Sequence, residues 1–372
     1  MAEWKECLLG DLITFQRGHD LPKSKMSGNG YPVVGSNGII GFHNEYTTEY
    51  PSITVGRSGN VGKPYIVYGR SWSHNTSLYI KEFKGTDPIF IYYFLQTLDL
   101  GNYAGGSAVP TLNRNHIHSL NVRVPADVST QEKIANTLKA LDDKIDKNTD
   151  INKNLEQQAE ALFHSLFIEN ANPTWKDGVL SDLGTVVAGG TPSKTKPEYY
   201  SEQGIAWITP KDLSLNKSKF ISRGEIDISE LGFSKSSATK MPTGTVLFSS
   251  RAPIGYIAIA ANEVTTNQGF KSVVPNENVG TAFMYYLLKF LLPTIEGMAS
   301  GSTFKEISGA GMKSVPVVIP DNETIEKFNA FCTPIFQQQE VLEAENSRLA
   351  DIRDALLPKL MSGELDVSDI DL

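Results

Sequence analysis

The chain has 372 residues, 40% hydrophobic and 20% charged, a composition typical of a soluble globular protein with two or three domains. No apolar run approaches the roughly 20 residues of a membrane span, and the beginning lacks the pattern of a signal peptide, so we expect a cytoplasmic protein. The formal charge of −8 at first argues against nucleic acid as a partner. Residues 1–128 and 173–320, however, carry +1 and +2, and the acidity lies in residues 129–172 and 321–372.

The first 128 residues predict a mixed α and β domain. Short apolar runs such as Ile53-Thr54-Val55 are bounded by Gly, Pro, Asn and Ser, which indicates strands and turns. The tyrosine-rich run that begins at Phe90 predicts a short amphipathic helix whose aromatic side chains belong to the core.

Residues 129–172 predict one long helix. Apolar residues recur from Ile134 to Leu166 at alternating steps of four and three, a seven-residue repeat that indicates a coiled-coil seam. The alternative is an amphipathic helix that lies on its own domain. The predicted seam residues are Ile134, Leu138, Leu141, Ile145, Asn152, Leu155 and Leu162.

Residues 173–320 repeat the plan of the first block, and a colinear series of matches connects the two. The offset between matched positions is 171 at the start and drifts to 195, which indicates insertions in the second block. The matched positions include Trp4 and Trp175, Asp11 and Asp182, Gly18 and Gly189, Arg57 and Arg251, Phe90 and Phe283, and Pro125 and Pro320.

Residues 321–372 predict a second long helix with the rhythm of the first, 194 residues later. Asn152 and Asn346 occupy equivalent seam positions, where buried amides fix the register because a slipped pairing leaves them without partners. Pro334 and Pro358 predict kinks or a delayed helix start. The predicted seam residues of this helix are Leu342, Asn346, Leu349, Leu356 and Leu360.

The order of block, long helix, block and long helix resembles the type I restriction specificity subunits over essentially the whole chain. Two local motifs support the resemblance: the junction Pro125…Gln131-Glu132-Lys133-Ile134 and the ending Leu356-Leu357-Pro358-Lys359-Leu360-Met361-Ser362-Gly363-Glu364-Leu365. The second junction has Ile325 where the family usually has Gln.

The resemblance implies an α+β fold in which two similar mixed α/β target recognition domains, 1–128 and 173–320, are separated by two long helices. These helices, the central spacer 129–172 and the C-terminal 321–372, would pair as an antiparallel coiled coil. Each domain would read one half of an asymmetric bipartite site in double-stranded DNA. The helices would dock two modification subunits that carry S-adenosylmethionine and the methyltransferase chemistry, and restriction subunits with motor and nuclease activity would join for cleavage.

The sequence has no catalytic constellation of its own. It lacks a phosphate-binding Gly-x-x-x-x-Gly-Lys-Ser/Thr loop and any Pro-Pro pair that an adenine methyltransferase motif requires. His116 and His118 have no third ligand at metal spacing, so we interpret them as surface or DNA-facing residues, and Cys7 and Cys332 as free thiols. We therefore expect a non-catalytic subunit without a cofactor or metal. The competing interpretations are a scaffold that only recruits partners and a fused restriction–methylation enzyme.

Candidate DNA-contacting residues follow from base and phosphate chemistry, since Arg forks to guanine, Asn and Gln pair with adenine, and Lys, Ser and Thr hold phosphate. The alternative for each is an ordinary solvated loop residue, and Arg57 and Arg251 are the favoured pair because they begin matching turns. The candidates of the first block are Arg57, Asn60, Lys63, His74, Asn75, Asn113, Arg114 and Asn115. Those of the second are Lys194, Lys196, Lys211, Arg251, Asn267, Gln268 and Lys305.

Overall fold

The computed structural model describes residues 3–106, 110–301 and 305–367. The chain forms two units, one of Met1–Asp146 with Ser347–Leu372 and the other of Lys147–Asn346. Each unit therefore contains one of the two repeated blocks and a part of each long helix. Among the described residues, none of the helices combines the length and apolar character that a membrane crossing needs.

The first unit is built on a four-stranded antiparallel sheet. Its central strand Ser52–Gly56 is buried along its whole length, as its continuous run of β-branched residues predicts. The strands are β1 Trp4–Leu8, β2 Ile13–Arg17, β3 Tyr31–Gly35, β4 Gly38–His43, β5 Ser52–Gly56, β6 Pro64–Val67, β7 Trp72–Ser73, β8 Ser77–Phe83, β9 Ala104–Gly105, β10 Thr111–Leu112 and β11 Asn121–Pro125. The short helices are α1 Leu9–Leu12, α2 Pro88–Gln96 and α3 Arg114–His118.

Helix α2 confirms the amphipathic helix predicted at Phe90. Asp87 caps its first turn by accepting a hydrogen bond from the backbone N–H of Phe90 at 2.7 Å, and Pro88 occupies the first turn, where its missing N–H costs nothing. The aromatic residues Phe90, Tyr93 and Phe94 are buried against the sheet, so they belong to the core.

The second unit is built on a five-stranded sheet that is antiparallel except for one edge strand. Its strands are β12 Lys176–Val179, β13 Gly184–Ala188, β14 Tyr200–Ser201, β15 Trp207–Ile208, β16 Phe220–Ile221, β17 Asp227–Ile228, β18 Val246–Ser250, β19 Ile254–Ala260, β20 Thr265–Thr266, β21 Lys271–Pro275 and β22 Pro316–Ile319. Its short helices are α5 Leu180–Leu183, α6 Pro210–Leu215, α7 Glu230–Ser234, α8 Thr281–Phe290, α9 Leu292–Met298 and α10 Gly309–Lys313.

The two sheets have the same topology, which confirms the internal repeat. The order β2-β8-β5-β6 of the first unit returns as β13-β21-β18-β19 in the second, and the pair β1-β11 returns as β12-β22. The parallel pair β3-β7 likewise returns as the parallel pair β15-β20. Strand β16 extends the second sheet, and it lies with α6, β17 and α7 between β15 and β18 in the chain. The predicted insertions of the second block therefore build elements beside a preserved sheet.

The two long helices pair with each other inside both units. They are α4 Val128–His164, which continues as a π-helical turn Ser165–Glu169, and α11 Asn322–Ser362. In the first unit Arg353 of α11 lies 2.6 Å from the carboxylate of Asp142 on α4. In the second unit the side chain of Asn148 donates to Asn346 at 2.9 Å, and Gln339 donates to the carbonyl of Asn152 at 3.1 Å.

These contacts confirm an antiparallel pair, because residue numbers rise along one helix as they fall along the other. The predicted seam is turned inward throughout. Its buried residues are Ile134, Leu138, Leu141, Leu342 and Leu360, and its half-buried residues are Ile145, Asn152, Leu155, Leu162, Asn346, Leu349 and Leu356.

Two details of the seam differ from expectation. Helix α11 begins at Asn322 and runs through Pro334 and Pro358, so its start is not delayed. Both prolines are exposed, where water can satisfy the carbonyl groups that they leave without a donor. Asn346 pairs with Asn148 and not with Asn152, since an antiparallel pairing brings equivalent positions opposite each other only at its midpoint, which lies near Asp150 and Ala344. The side-chain oxygen of Asn152 is buried with no hydrogen-bond partner among the described residues.

Candidate nucleic-acid interface

A turn that follows strand β5 brings together three segments of the first unit. The backbone N–H of Arg57 donates to the carbonyl of Thr76 at 2.8 Å, and the carbonyl of Arg57 accepts from Leu112 at 2.9 Å. Arg57 therefore lies beside the segments that contain His74 and Asn75 on one side and Asn113 and Arg114 on the other. Asn113 caps helix α3 by accepting from Asn115 at 3.0 Å, which leaves Arg114 exposed at the first position of the helix.

The second unit repeats this arrangement with a displacement of one residue. The backbone N–H of Ser250 donates to the carbonyl of Gly269 at 2.7 Å, and the carbonyl of Ser250 accepts from the backbone N–H of Ile307 at 3.1 Å. These are the same two backbone bonds that Arg57 makes. The hydrogen bonds therefore align Arg57 with Ser250, and Arg251 with Ser58. The guanidinium of Arg251 lies 3.4 Å from the carboxylate of Glu306, so this arginine is partly held by an ion pair. The register of the sheet decides this alignment, and sequence matching did not detect it.

A tight turn begins at His74, directly after β7, in the first unit, and at Asn267, directly after β20 and 193 residues later, in the second. The backbone N–H of Thr76 donates to the imidazole of His74 at 3.4 Å, and that of Gly269 donates to the side-chain oxygen of Asn267 at 2.8 Å. These two candidate side chains therefore stabilise the same turn in both units. Of the next residues in each turn, Asn75 is half-buried and Gln268 is exposed.

Glycines at the end of the first sheet strand pack directly on this turn. A β-carbon on Gly18 would lie 2.1 Å from the carbonyl oxygen of His74, and one on Gly189 would lie 2.0 Å from that of Asn267. No side chain fits at such a distance, so the repeated glycines permit this close approach. The segments that follow them, with Asp20 and Thr191, reach the interface although we did not predict them. The repeated glycine was the available signal, since it marks a close backbone contact.

An open cleft of about 590 Å³ in the second unit gathers four of the predicted residues. Lys194, Lys211, Asn267 and Gln268 line it, together with the aromatic rings of Tyr200 and Trp207. Lys211 lies 2.5 Å from Glu225, which offsets part of its charge, and Lys194 is exposed. The carboxylates of Asp212 and Glu225 also line the cleft, so its exposed positive charge comes mainly from Lys194. An ammonium group can hold a phosphate, and the amides of Asn267 and Gln268 can contact base edges.

The remaining candidates lie outside this cleft. Lys196 lies 3.8 Å from Glu198 in an exposed ion pair, and Lys305 is an exposed residue. Lys63 lines a separate cleft of about 440 Å³ in the first unit. Asn60 is exposed, and its carbonyl packs so closely on Gly56 that a β-carbon there would lie 1.9 Å away.

His118 has a structural role that sequence reasoning missed. Its imidazole accepts a hydrogen bond from the backbone N–H of Phe15 at 2.9 Å, so the neutral ring closes α3 onto the sheet. Burial, with help from the charges of Lys84 and Arg114, lowers the pKa of His118. Within residues 3–106, 110–301 and 305–367, no group of three or more His, Cys, Asp or Glu side chains converges in a way that could hold a metal ion.

A charged cluster anchors the second unit's sheet to both long helices. The Glu156 carboxylate of α4 accepts from the Tyr286 hydroxyl at 2.9 Å and from the Lys289 ammonium at 2.8 Å, and it contacts the Lys219 ammonium. Lys219 also donates to Gln339 of α11 at 2.7 Å. Burial alone would raise the pKa of Glu156, but the two ammonium groups outweigh it and lower the pKa to about 2.

In the first unit other residues make the corresponding link between the short helix and the two long helices. The hydroxyl of Tyr93, the counterpart of Tyr286, donates to Asp142 of α4 at 2.5 Å, and Asp142 also binds Arg353 of α11. In each unit the short helix behind the sheet is therefore tied by a tyrosine to a carboxylate on α4.

Comparisons with known proteins agree with this architecture. A family model described as the type I restriction modification DNA specificity domain matches residues 1–157 and again residues 172–347. The crystal structure of the type I restriction-modification system S subunit from M. genitalium has the same fold, with a TM-score of 0.69, 18% identity and 96% of each chain covered.

Two curated relatives are similar in sequence. The chain is 41% identical to the MjaIX specificity subunit of Methanocaldococcus jannaschii over 170 residues, which are 45% of this chain and 39% of that protein. It is 26% identical to the HindI specificity subunit of Haemophilus influenzae, with 75% of this chain and 77% of that protein covered. The first match therefore spans less than half of the relative.

Proposed function

Because the chain belongs to the type I restriction–modification DNA specificity family, we propose that it selects the DNA sequence on which partner subunits act. Each unit reads one half of a split site in double-stranded DNA. The two halves differ in sequence because the loops of the two units carry different side chains, so the whole site is asymmetric.

The observation that carries this proposal is the duplicated set of polar loops at the same edge of a duplicated sheet. Arg57, His74 and Asn75 lie on the first set, and Asn267 and Gln268 lie at the matching positions of the second. Two similar readers on one duplex suit two half-sites separated by about one helical turn. A scaffold that only recruits partners would not need exposed polar side chains at the same loop positions of both units.

The paired helices have two roles in this proposal. They set the distance between the half-sites, and their outer faces dock two modification subunits. S-adenosylmethionine and the methyltransferase chemistry belong to those subunits, and the chain itself does not catalyse methyl transfer. Restriction subunits with motor and nuclease activity complete the cytoplasmic complex where the host supplies them.

Methyl transfer to plasmid DNA tests this division of labour. Labelled S-adenosylmethionine is supplied to the purified chain, to the modification subunits of the same system, and to the two together. We expect label in DNA only in the mixture. Methyl transfer by the chain alone would identify an enzyme, and a stable mixture that binds all DNA sequences equally would identify a scaffold.

A further inference from the structure

One pair of side chains joins the same two loop positions in both units. In the first unit the amide nitrogen of Asn75 donates to the carboxylate of Asp20, and in the second the hydroxyl of Thr191 donates to the amide oxygen of Gln268. Asp20 and Thr191 follow Gly18 and Gly189 by two residues each. Asn75 and Gln268 directly follow the turn residues His74 and Asn267. The position of the bond is therefore repeated although all four residue types differ.

Hydrogen bonds and close packing hold the backbone around each pair. The carbonyl of His74 accepts from Ser77 at 2.9 Å, and that of Asn267 accepts from Phe270 at 3.2 Å, so both turns are closed. The glycine contacts described above press the partner loop against each turn. Asp20 and Gln268 are exposed, and Asn75 and Thr191 are half-buried, so each pair lies at the surface. A bond between two loops that are held in this way restricts the direction in which the amide points.

The direction of an amide decides which base it can read. Adenine presents an acceptor, N7, and a donor, the N6 amino group, in the major groove, and Asn or Gln matches both only in one orientation. The bond to Asp20 uses one N–H of Asn75 and does not use its oxygen. The bond to Thr191 uses one lone pair of the Gln268 oxygen and does not use its N–H groups. Each amide thus keeps a donor and an acceptor.

The surroundings suit a duplex. Gln268 lines the cleft that also contains the exposed ammonium group of Lys194, which is the kind of group that holds a phosphate, and Lys211, which is paired with Glu225. In the first unit Arg17 lies 2.9 Å from the carboxylate of Asp20, which offsets the negative charge that would otherwise face the DNA.

We propose that Asn75 and Gln268 each read an adenine in the major groove, one in each half-site, and that Asp20 and Thr191 are positioning residues that orient the two amides. This inference rests on the proposed function. It adds the base that each unit reads and the pair of residues that reads it.

The test maps methylated adenines in cells that express variants of the full chain with its modification subunits. Gln268→Ala removes the reading group, Thr191→Val removes only the hydroxyl, and Thr191→Ser keeps it. Thr195→Val is the matched control, because Thr195 is an exposed residue of the same loop whose hydroxyl bonds to Ser193 at 2.9 Å and does not line the cleft. Asn75→Ala is the corresponding change in the first unit.

We expect Gln268→Ala to reduce discrimination at one adenine of one half-site by about 5- to 150-fold, the range for loss of a two-bond contact. Thr191→Val gives a smaller relaxation at the same position, while Thr191→Ser and Thr195→Val keep the wild-type site. Asn75→Ala relaxes one adenine of the other half-site. The half-site that stays unchanged shows in each case that the variant is folded.

Three results would overturn the inference: unchanged half-sites in Gln268→Ala and Asn75→Ala, relaxation at a position that is not adenine, or a Thr191→Val variant that matches wild type while Gln268→Ala does not. A wild-type chain that directs no split methylated site would instead contradict the proposed function. The two failures are therefore distinguishable.

Discussion

The paired helices provide a quantitative test of the proposed spacing role. Asn148 on α4 bonds to Glu345 and Asn346 on α11 at 2.8 and 2.9 Å, so Asp150 and Ala344 lie at the same level of the pair. We insert seven residues after each, with leucine at the seam positions, which preserves the repeat and the pairing. Each helix then lengthens by about 10.5 Å at about 1.5 Å per residue.

This length corresponds to about three base pairs at about 3.4 Å per pair. Three pairs also turn the second half-site by about 100° around the duplex, from about 10.5 pairs per turn. Twisting or bending of the DNA must absorb that rotation, at a cost that depends on its sequence. We expect methylated sites with both half-sites unchanged and a gap longer by about three pairs, or lost activity where the rotation is not absorbed.

The assay is a genome-wide map of methylated adenines in cells that express the lengthened chain. The matched control carries the same seven residues in α4 alone, which gives α4 about two turns that have no partner on α11 and should lower the free energy of unfolding. An active, doubly lengthened variant that keeps the original gap would show that the helices do not set the spacing.

The remaining predictions concern single residues. Gly189→Ala places a β-carbon against the carbonyl of Asn267 and should cost about 1–3 kcal/mol in urea unfolding and impair one half-site only; full stability would contradict the close contact. The pKa of Glu156 is lowered to about 2 from 4.5, so the stabilisation that its charge provides is complete above pH 4.5 and is lost as the pH falls towards 2. The variant Glu156→Gln should lack this stabilisation at every pH and be less stable by about 3 kcal/mol at pH 7. Equal unfolding of both proteins at pH 7 would refute that role. Arg57→Ala and Arg251→Ala should affect different half-sites in binding titrations. Loss of a guanine contact should weaken the binding free energy by about 1–3 kcal/mol at one base. Loss of a phosphate contact should weaken binding equally for all sequences and reduce its salt dependence. Unchanged binding by both variants would show that neither arginine contacts DNA.

Much of the fold could be predicted because it depends on patterns that local chemistry enforces. The heptad seam from Ile134 to Leu166 identified α4, and the core run at Phe90 identified α2. The repeat was readable because residues such as Trp4 and Trp175, or Gly18 and Gly189, lie at or next to the same ends of equivalent strands. The continuous course of α11 was not predicted, since whether a proline interrupts a helix depends on the solvation of the carbonyl groups around it.

The interface was harder to predict, because its geometry comes from contacts between distant segments. Sequence chemistry selected Asn75 and Gln268, but the partners Asp20 and Thr191 lie 55 and 77 residues away and carry no common residue type. The one-residue displacement between Arg57 and Arg251 follows from strand pairing, which similarity along the chain does not record. The roles of His74 and Asn267 in stabilising a turn likewise follow only from the hydrogen bonds that their side chains accept from the backbone N–H groups of Thr76 and Gly269.

The most direct test of the central claim is the wild-type methylation map of cells that express the chain with its modification subunits and contain no other adenine methyltransferase. Two similar but diverged readers predict one split, asymmetric sequence: two defined half-sites that differ from each other and are separated by a gap of fixed length and free sequence. A single uninterrupted sequence, or two identical half-sites, would contradict the account.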